Sequence, residues 1–154
     1  MRCIIQRVLH ASVAIDGNVV GRCTHGLLLL VGIHKEDTPV EAKKLAEKIA
    51  GLRIFNDAEG KMNLSIRDID PQGNILAISN FTVYGDARKQ RRPSFIESAS
   101  FEPGKALFDR FLNDLESEGI AVETGHFGAD MQVSLVNDGP VTIVLDIEAS
   151  KNTG

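Results

Sequence analysis

Gly26-Leu27-Leu28-Leu29-Leu30-Val31-Gly32-Ile33 is the stretch on which the fold turns. A strand with one wet face alternates apolar and polar residues. This run is apolar throughout and of strand length, which suits a strand covered on both faces. Upstream, Met1 to Leu9 and Ser12 to Ile15 are strand-like. Asp16-Gly17-Asn18 then supplies a hairpin turn, because Gly and Asn tolerate positive φ, and Val19-Val20 continues outward. Downstream, Thr38-Pro39-Val40-Glu41 carries a capping box with proline at the first helical position. Val40, Leu45, Ile49 and Leu52 recur at near-helical spacing, so a helix is expected to about Leu52. Glu41, Lys43, Lys44, Glu47 and Lys48 read as its solvated face.

The rest of the chain extends this pattern. Asn56 to Gly60 is a turn. Ile75 to Val83 reads as a strand, and residues 85–100 as a loop. Pro103 to Glu118 is a second amphipathic helix, with Leu107, Phe108, Phe111, Leu112 and Leu115 on one face and Gly119 as its stop. Strands are expected at Ile120 to Glu123, Met131 to Val136 and Val141 to Ile147. The last two are joined through the strong turn signal Asn137-Asp138-Gly139-Pro140. This order predicts an α+β domain: a compact, β-barrel-like curved sheet with two helices packed outside. One domain is expected over residues 1–148, with a frayed tail at 149–154.

Composition excludes several classes of protein. The chain has 154 residues, 43% of them hydrophobic and 25% charged, which rules out wholesale disorder. No apolar run approaches the roughly 18–20 residues of a membrane span. The N-terminus lacks a signal-peptide core, Cys3 and Cys23 form no CxxC pair, and the four histidines do not cluster. A cytoplasmic setting is expected, with no structural metal and no cofactor. The net charge of −4 argues against a protein that coats DNA or RNA non-specifically. A local basic patch exists nonetheless: Arg88, Lys89, Arg91 and Arg92 fall within five residues, and they read either as a contact for one RNA end or as a solvated loop. No nucleophile elbow, dinucleotide fingerprint or P-loop is present.

Two segments stand out as chemistry. Ser79-Asn80-Phe81-Thr82 clusters two hydroxyls, an amide and an aromatic ring where an apolar strand leaves the core. Alternation places Ser79 and Phe81 on one face, with Asn80 and Thr82 on the other. Asn137-Asp138-Gly139-Pro140-Val141-Thr142 combines a glycine without Cβ with an X–Pro bond that adopts cis more readily than any other peptide.

Together these two segments resemble the signature motifs of the D-aminoacyl-tRNA deacylase (D-Tyr-tRNA deacylase) family. The flanks resemble it too: Ile5-Gln6-Arg7-Val8; Phe55-Asn56-Asp57 with Gly60-Lys61-Met62-Asn63; Arg91-Arg92-Pro93-Ser94-Phe95; and Thr124-Gly125 through Phe127-Gly128-Ala129-Asp130-Met131. The likeness is collinear over about residues 1–147. The family usually carries Ser-Gln-Phe-Thr-Leu at the first motif. Here Asn80 and Val83 replace Gln and Leu, and Asn keeps the amide but is one methylene shorter.

The resemblance implies hydrolysis of the ester joining a D-amino acid to the 3′-terminal adenosine of tRNA by a homodimer. It implies that Ser79, Asn80, Phe81 and Thr82 line the pocket. It further implies that Gly139 and Pro140, in cis, enter the partner subunit's pocket and exclude L side chains, and that Arg7 and Met131 support the site. Thr82 is either a nucleophile or a shaping residue, since no adjacent base is identified in the sequence. Phe81 either stacks on adenine or sits in the core. A module that binds the tRNA end without cleaving it, and an editing subunit for a synthetase, are the rival readings.

Overall fold

A computed structural model describes residues 1–150 of the chain. The tail expected at 149–154 falls, for residues 151–154, outside the described residues. Strand β1 (Arg2–Ile15) is one unbroken strand of 14 residues rather than the two pieces expected. It pairs with three others, all antiparallel. On one side its first half meets β3 (Gly26–Gly32) and its second half meets β2 (Asn18–Cys23). On the other side it meets β8 (Gln132–Asp146) along nearly its whole length. The expected hairpin turn is present, with positive φ at both Asp16 and Gly17.

From β3 the sheet continues by parallel pairing to β6 (Asn74–Ser79) and then to β7 (Val122–Thr124). It curls until β7 comes back against β2, where the Arg22 N–H donates to Glu123 Oε1 at 3.2 Å. The result is a nearly closed, barrel-like sheet. A short hairpin, β4 (Phe55–Asn56) and β5 (Met62–Leu64), lies outside that sheet.

The apolar run behaves as its sequence requires. Leu27, Leu29 and Val31 face one core and Leu28 faces the other, and all four are buried. The first core is shared with two helices, α1 (Pro39–Gly51) and α2 (Phe101–Ser117), through Leu45, Ile49, Phe108, Phe111 and Leu115. The second fills the barrel with Val8, Val13, Leu76 and Ile78. Both free cysteines are buried, and burial pushes the Cys23 thiol up to about 11, so it stays protonated and unreactive. No helix among the described residues is long and apolar enough to cross a membrane.

Four further sequence expectations are corrected. Glu41 is buried rather than solvated, because its carboxylate accepts the Thr38 N–H at 2.7 Å as the capping partner. Helix α2 begins at Phe101, two residues before Pro103, which sits inside the first turn where a missing N–H leaves no gap in the bonding. Strand β6 stops at Ser79 instead of running to Val83. Finally, Asn137 to Pro140 does not reverse the chain: it is a bulge within the continuous strand β8, and both halves of β8 pair with β1.

Candidate active site

The last pair of the β3–β6 ladder is Val31 with Ser79, and the Asn80 N–H still donates to the Val31 carbonyl at 2.8 Å. There the strand ends. Asn80 Oδ1 accepts the Thr82 N–H at 3.2 Å and also the Thr82 hydroxyl, which starts a 3₁₀ helix over Phe81–Tyr84. An Asn side chain has the reach for this local cap, and such caps compete directly with strand continuation. The expected alternation therefore fails beyond Ser79. Phe81 is 59% exposed and Thr82 is exposed too. A core role for Phe81 is excluded.

The strand end opens into a cavity of about 630 Å³. Ser79, Asn80, Phe81 and Thr82 form one wall. Met131, Phe127 and Val133 line the cavity as well. Five of the eight site residues named from the sequence thus meet in one pocket. Thr82 Oγ1 has as its partner an amide oxygen, which is not a base at neutral pH. Ser98 Oγ donates to the Phe81 carbonyl at 2.9 Å and holds the wall from behind. No local signal in the sequence marks Ser98, since the two residues lie 17 positions apart.

Arg7, Gly139 and Pro140 form a second cluster and do not line that cavity. Gln6 pairs with Thr142 and Val8 with Asn137, so the single residue Arg7 faces the four residues 138–141. Asn137 closes the bulge, its Nδ2 donating to the Arg7 carbonyl at 2.9 Å and to the Val141 carbonyl at 3.0 Å. The Arg7 side chain is buried beneath. Its Nη1 donates to the Ile54 carbonyl at 2.8 Å and to Asn56 Oδ1 at 3.3 Å. Its Nε lies 3.1 Å from Asp138 Oδ2, a close ion pair whose N–H is not aimed at the carboxylate. The Gly139-Pro140 peptide is cis, and Gly139 has φ +126°. The supporting roles of Asn56, Asn137 and Asp138 were not read from the sequence. The i-to-i+4 reach of Asn137 to Val141 is the one signal that could have suggested them.

The basic segment follows the 3₁₀ helix directly. Asp86 and Ser94 exchange two backbone hydrogen bonds of 2.8 Å and close the loop at its base. Arg88 forks back onto the Asp86 carboxylate at 2.9 and 2.8 Å, which holds that carboxyl well below its ordinary range. Lys89, Arg91 and Arg92 are exposed, and none forms an ion pair among the described residues.

The fold superposes on a protein described as c-Myc DNA Unwinding Element Binding Protein, with TM-score 0.89 and 36% identity, covering 97% of this chain and all of that one. It also superposes on a probable eukaryotic D-amino acid tRNA deacylase, with TM-score 0.81 over 95% and 98% of the two chains. At 16% identity that second likeness speaks for the fold alone. The class these likenesses define is an α+β fold with a nearly closed sheet and a pocket at the end of its parallel strands.

Residues 4–146 match the model of the D-Tyr-tRNA(Tyr) deacylase family, and the chain belongs to that family. Its relatives include the D-aminoacyl-tRNA deacylases of Thermosipho africanus, 54% identical over 95% of this chain and 97% of the relative, and of Bacillus cereus strain B4264, 52% identical over 95% and 99%. The family comprises hydrolases of the aminoacyl-tRNA ester bond.

Proposed function

We propose that this protein hydrolyses the ester between a D-amino acid and the 3′-terminal adenosine of tRNA. The Ser79–Thr82 pocket holds the aminoacyl-adenosine, and Gly139-Pro140 of a second copy completes it. The observation that carries this reading is the separation of the two clusters within one chain. The bulge stands in the middle of β8 beside Arg7, while the pocket, lined by the end of β6 and by Val133 at the start of β8, contains none of residues 137–141. A homodimer reunites them.

The chemistry needs little from the side chains. An aminoacyl ester is already activated, and the neighbouring ribose 2′-OH assists attack by water on the ester carbonyl. The ester C–O bond breaks, and the leaving 3′-oxygen takes the proton. The protein positions the ester and stabilises the oxyanion with backbone N–H groups at the start of the 3₁₀ helix. Because the Thr82 N–H is engaged by Asn80, the Phe81 N–H is the donor nearest to hand. The terminal adenine stacks on the exposed ring of Phe81.

Selection then works by exclusion. A rigid backbone that leaves no room for an L side chain does not read the D side chain. Many D-aminoacyl-tRNAs and Gly-tRNA are accordingly expected to be substrates. Initial rates on D-Tyr-tRNA, Gly-tRNA and L-Tyr-tRNA test this. Cleavage of the first two with the third spared is the expected result, and cleavage of L-Tyr-tRNA as fast as D-Tyr-tRNA would refute exclusion. Binding of all three with no cleavage would instead identify a tRNA-end binding module.

The partners of Thr82 favour a shaping role over a nucleophilic one. Thr82→Ala is expected to retain most activity and Thr82→Ser to be nearly silent. Loss of an essential nucleophile would be on the scale of about 10⁶ in kcat. A loss of that size, or an aminoacyl ester trapped on Thr82, would overturn the assignment.

A further inference from the structure

Phe81, which lines the pocket, has a second exposed ring against it that does not line the pocket. Phe95 meets Phe81 edge-to-face, with centroids 5.1 Å apart and planes at 74°, and is itself 37% exposed. Ile96, next in the chain, is 74% exposed. Exposed large apolar side chains grouped on one surface mark a site of interaction.

The segment that carries them is held at both ends. On one side Asp86 and Ser94 close the loop. On the other, the Lys35 N–H donates to the Glu97 carbonyl and the Ala99 N–H to the Ile33 carbonyl, both at 2.9 Å. The Glu97 carboxylate meets His34 Nε2 at 2.9 Å and Lys35 Nζ at 3.1 Å. Since His34 Nδ1 accepts the Glu36 N–H, the ring donates from Nε2, and Glu97 is held below the usual carboxylate range by these partners. Phe95 is thus presented on a fixed frame, which lowers the entropy lost on binding.

Beyond the Asp86–Ser94 closure stand Lys89, Arg91 and Arg92, cationic on a chain whose net charge is −4. Phe81 lines the pocket, Phe95 touches Phe81, and the cations lie in the loop that closes one residue before Phe95. Single-stranded RNA is held in just this way, by bases stacked on aromatic rings and phosphates met by lysine and arginine. The angle between the rings adds a constraint: two bases that each lie flat on one ring cannot stack on each other.

We infer that Phe95 is the platform for the base preceding the terminal adenosine of tRNA, splayed away from the adenine on Phe81, with Lys89, Arg91 and Arg92 meeting the phosphates that follow. This rests on the reading that the pocket takes an aminoacyl-adenosine.

Binding of uncharged acceptor-stem minihelices, one with the single-stranded 3′ end and one blunt, tests the subsite apart from hydrolysis. Phe95→Ala is expected to weaken binding of the single-stranded form about tenfold and to leave the blunt form nearly unaffected. Phe95→Tyr, which keeps the ring, restores it. Replacing Lys89, Arg91 and Arg92 together by Ala lowers the slope of log K against log salt by about two to three units, similarly for all tRNAs. Equal weakening of both minihelices, failure of Phe95→Tyr to restore binding, or an unchanged slope would overturn the inference. Ring-dependent binding by a protein that cleaves no D-aminoacyl-tRNA would sustain the subsite and defeat the hydrolytic reading. Hydrolysis of D-Tyr-tRNA with ring-independent binding would do the reverse.

Discussion

Gly139→Ala is expected to lower kcat/KM for D-Tyr-tRNA by about 100-fold while leaving the fold intact. Gly139 has φ +126°, a conformation that L side chains rarely adopt. A Cβ there would lie 2.8 Å from Val141 Cγ2, 3.0 Å from the Val141 nitrogen and 3.2 Å from Arg7 Nη2. The neighbours cannot give way easily. Val141 is buried, and Arg7 is held by the Ile54 carbonyl and Asn56. The bulge must therefore move, and a displacement of about 1 Å in a positioning element is enough for a 10²-fold loss. The β1–β8 ladder continues on either side of the bulge, so the change is confined to residues 138–141. Steady-state kinetics beside a circular dichroism melt separates the two effects. Wild-type kcat/KM in the variant would remove Gly139 from the site.

Gly26→Ala is expected to destabilise the protein by about 3 kcal/mol, the upper part of the range for overpacking a tight interior. For a chain of this size that lowers Tm by about 6–12 °C. Gly26 opens the parallel ladder opposite Asn74, and a Cβ on it would overlap the Asn74 carbonyl oxygen. No side-chain rotamer relieves a clash with backbone. The strand can shift neither way, because both of its faces are packed, Leu27 and Leu29 against one core and Leu28 against the other. A shift of β6 would also move Ser79 and Asn80, so activity should fall with stability. A melt at the wild-type temperature would show that the β3–β6 pair tolerates more separation than its packing indicates.

Elements that depend on local chemistry were legible in the chain. The all-apolar run of β3, the Thr38-Pro39-Val40-Glu41 helix start and the Asp16-Gly17 turn formed as read, since each is governed by residues within a few positions of one another. The motif residues Ser79 to Thr82 were legible as a group, and with Met131 they do share a pocket. Their conformation was not. Whether Phe81 continues the strand or begins a 3₁₀ helix is a contest between a ladder bond and a side-chain cap. The tertiary structure decides it, because β3 offers its last carbonyl at Val31.

The Asn137-Asp138-Gly139-Pro140 segment shows the same division more sharply. Its composition is that of a reversing turn, and reading locally gives two strands. The chain instead runs on, because β1, 130 residues away in sequence, offers an edge to both halves, and Asn137 ties its bulge to the Arg7 carbonyl. By itself the sequence determined the class of fold, the apolar layers and the identity of the polar motif residues. All of these follow from hydrophobic patterning and short-range hydrogen bonding. Only the tertiary structure decided where strands end, that a turn is a bulge, and that Arg7 lies beneath it rather than in the pocket. Those outcomes depend on which distant backbone groups remain unpaired, and no window of neighbouring residues contains them.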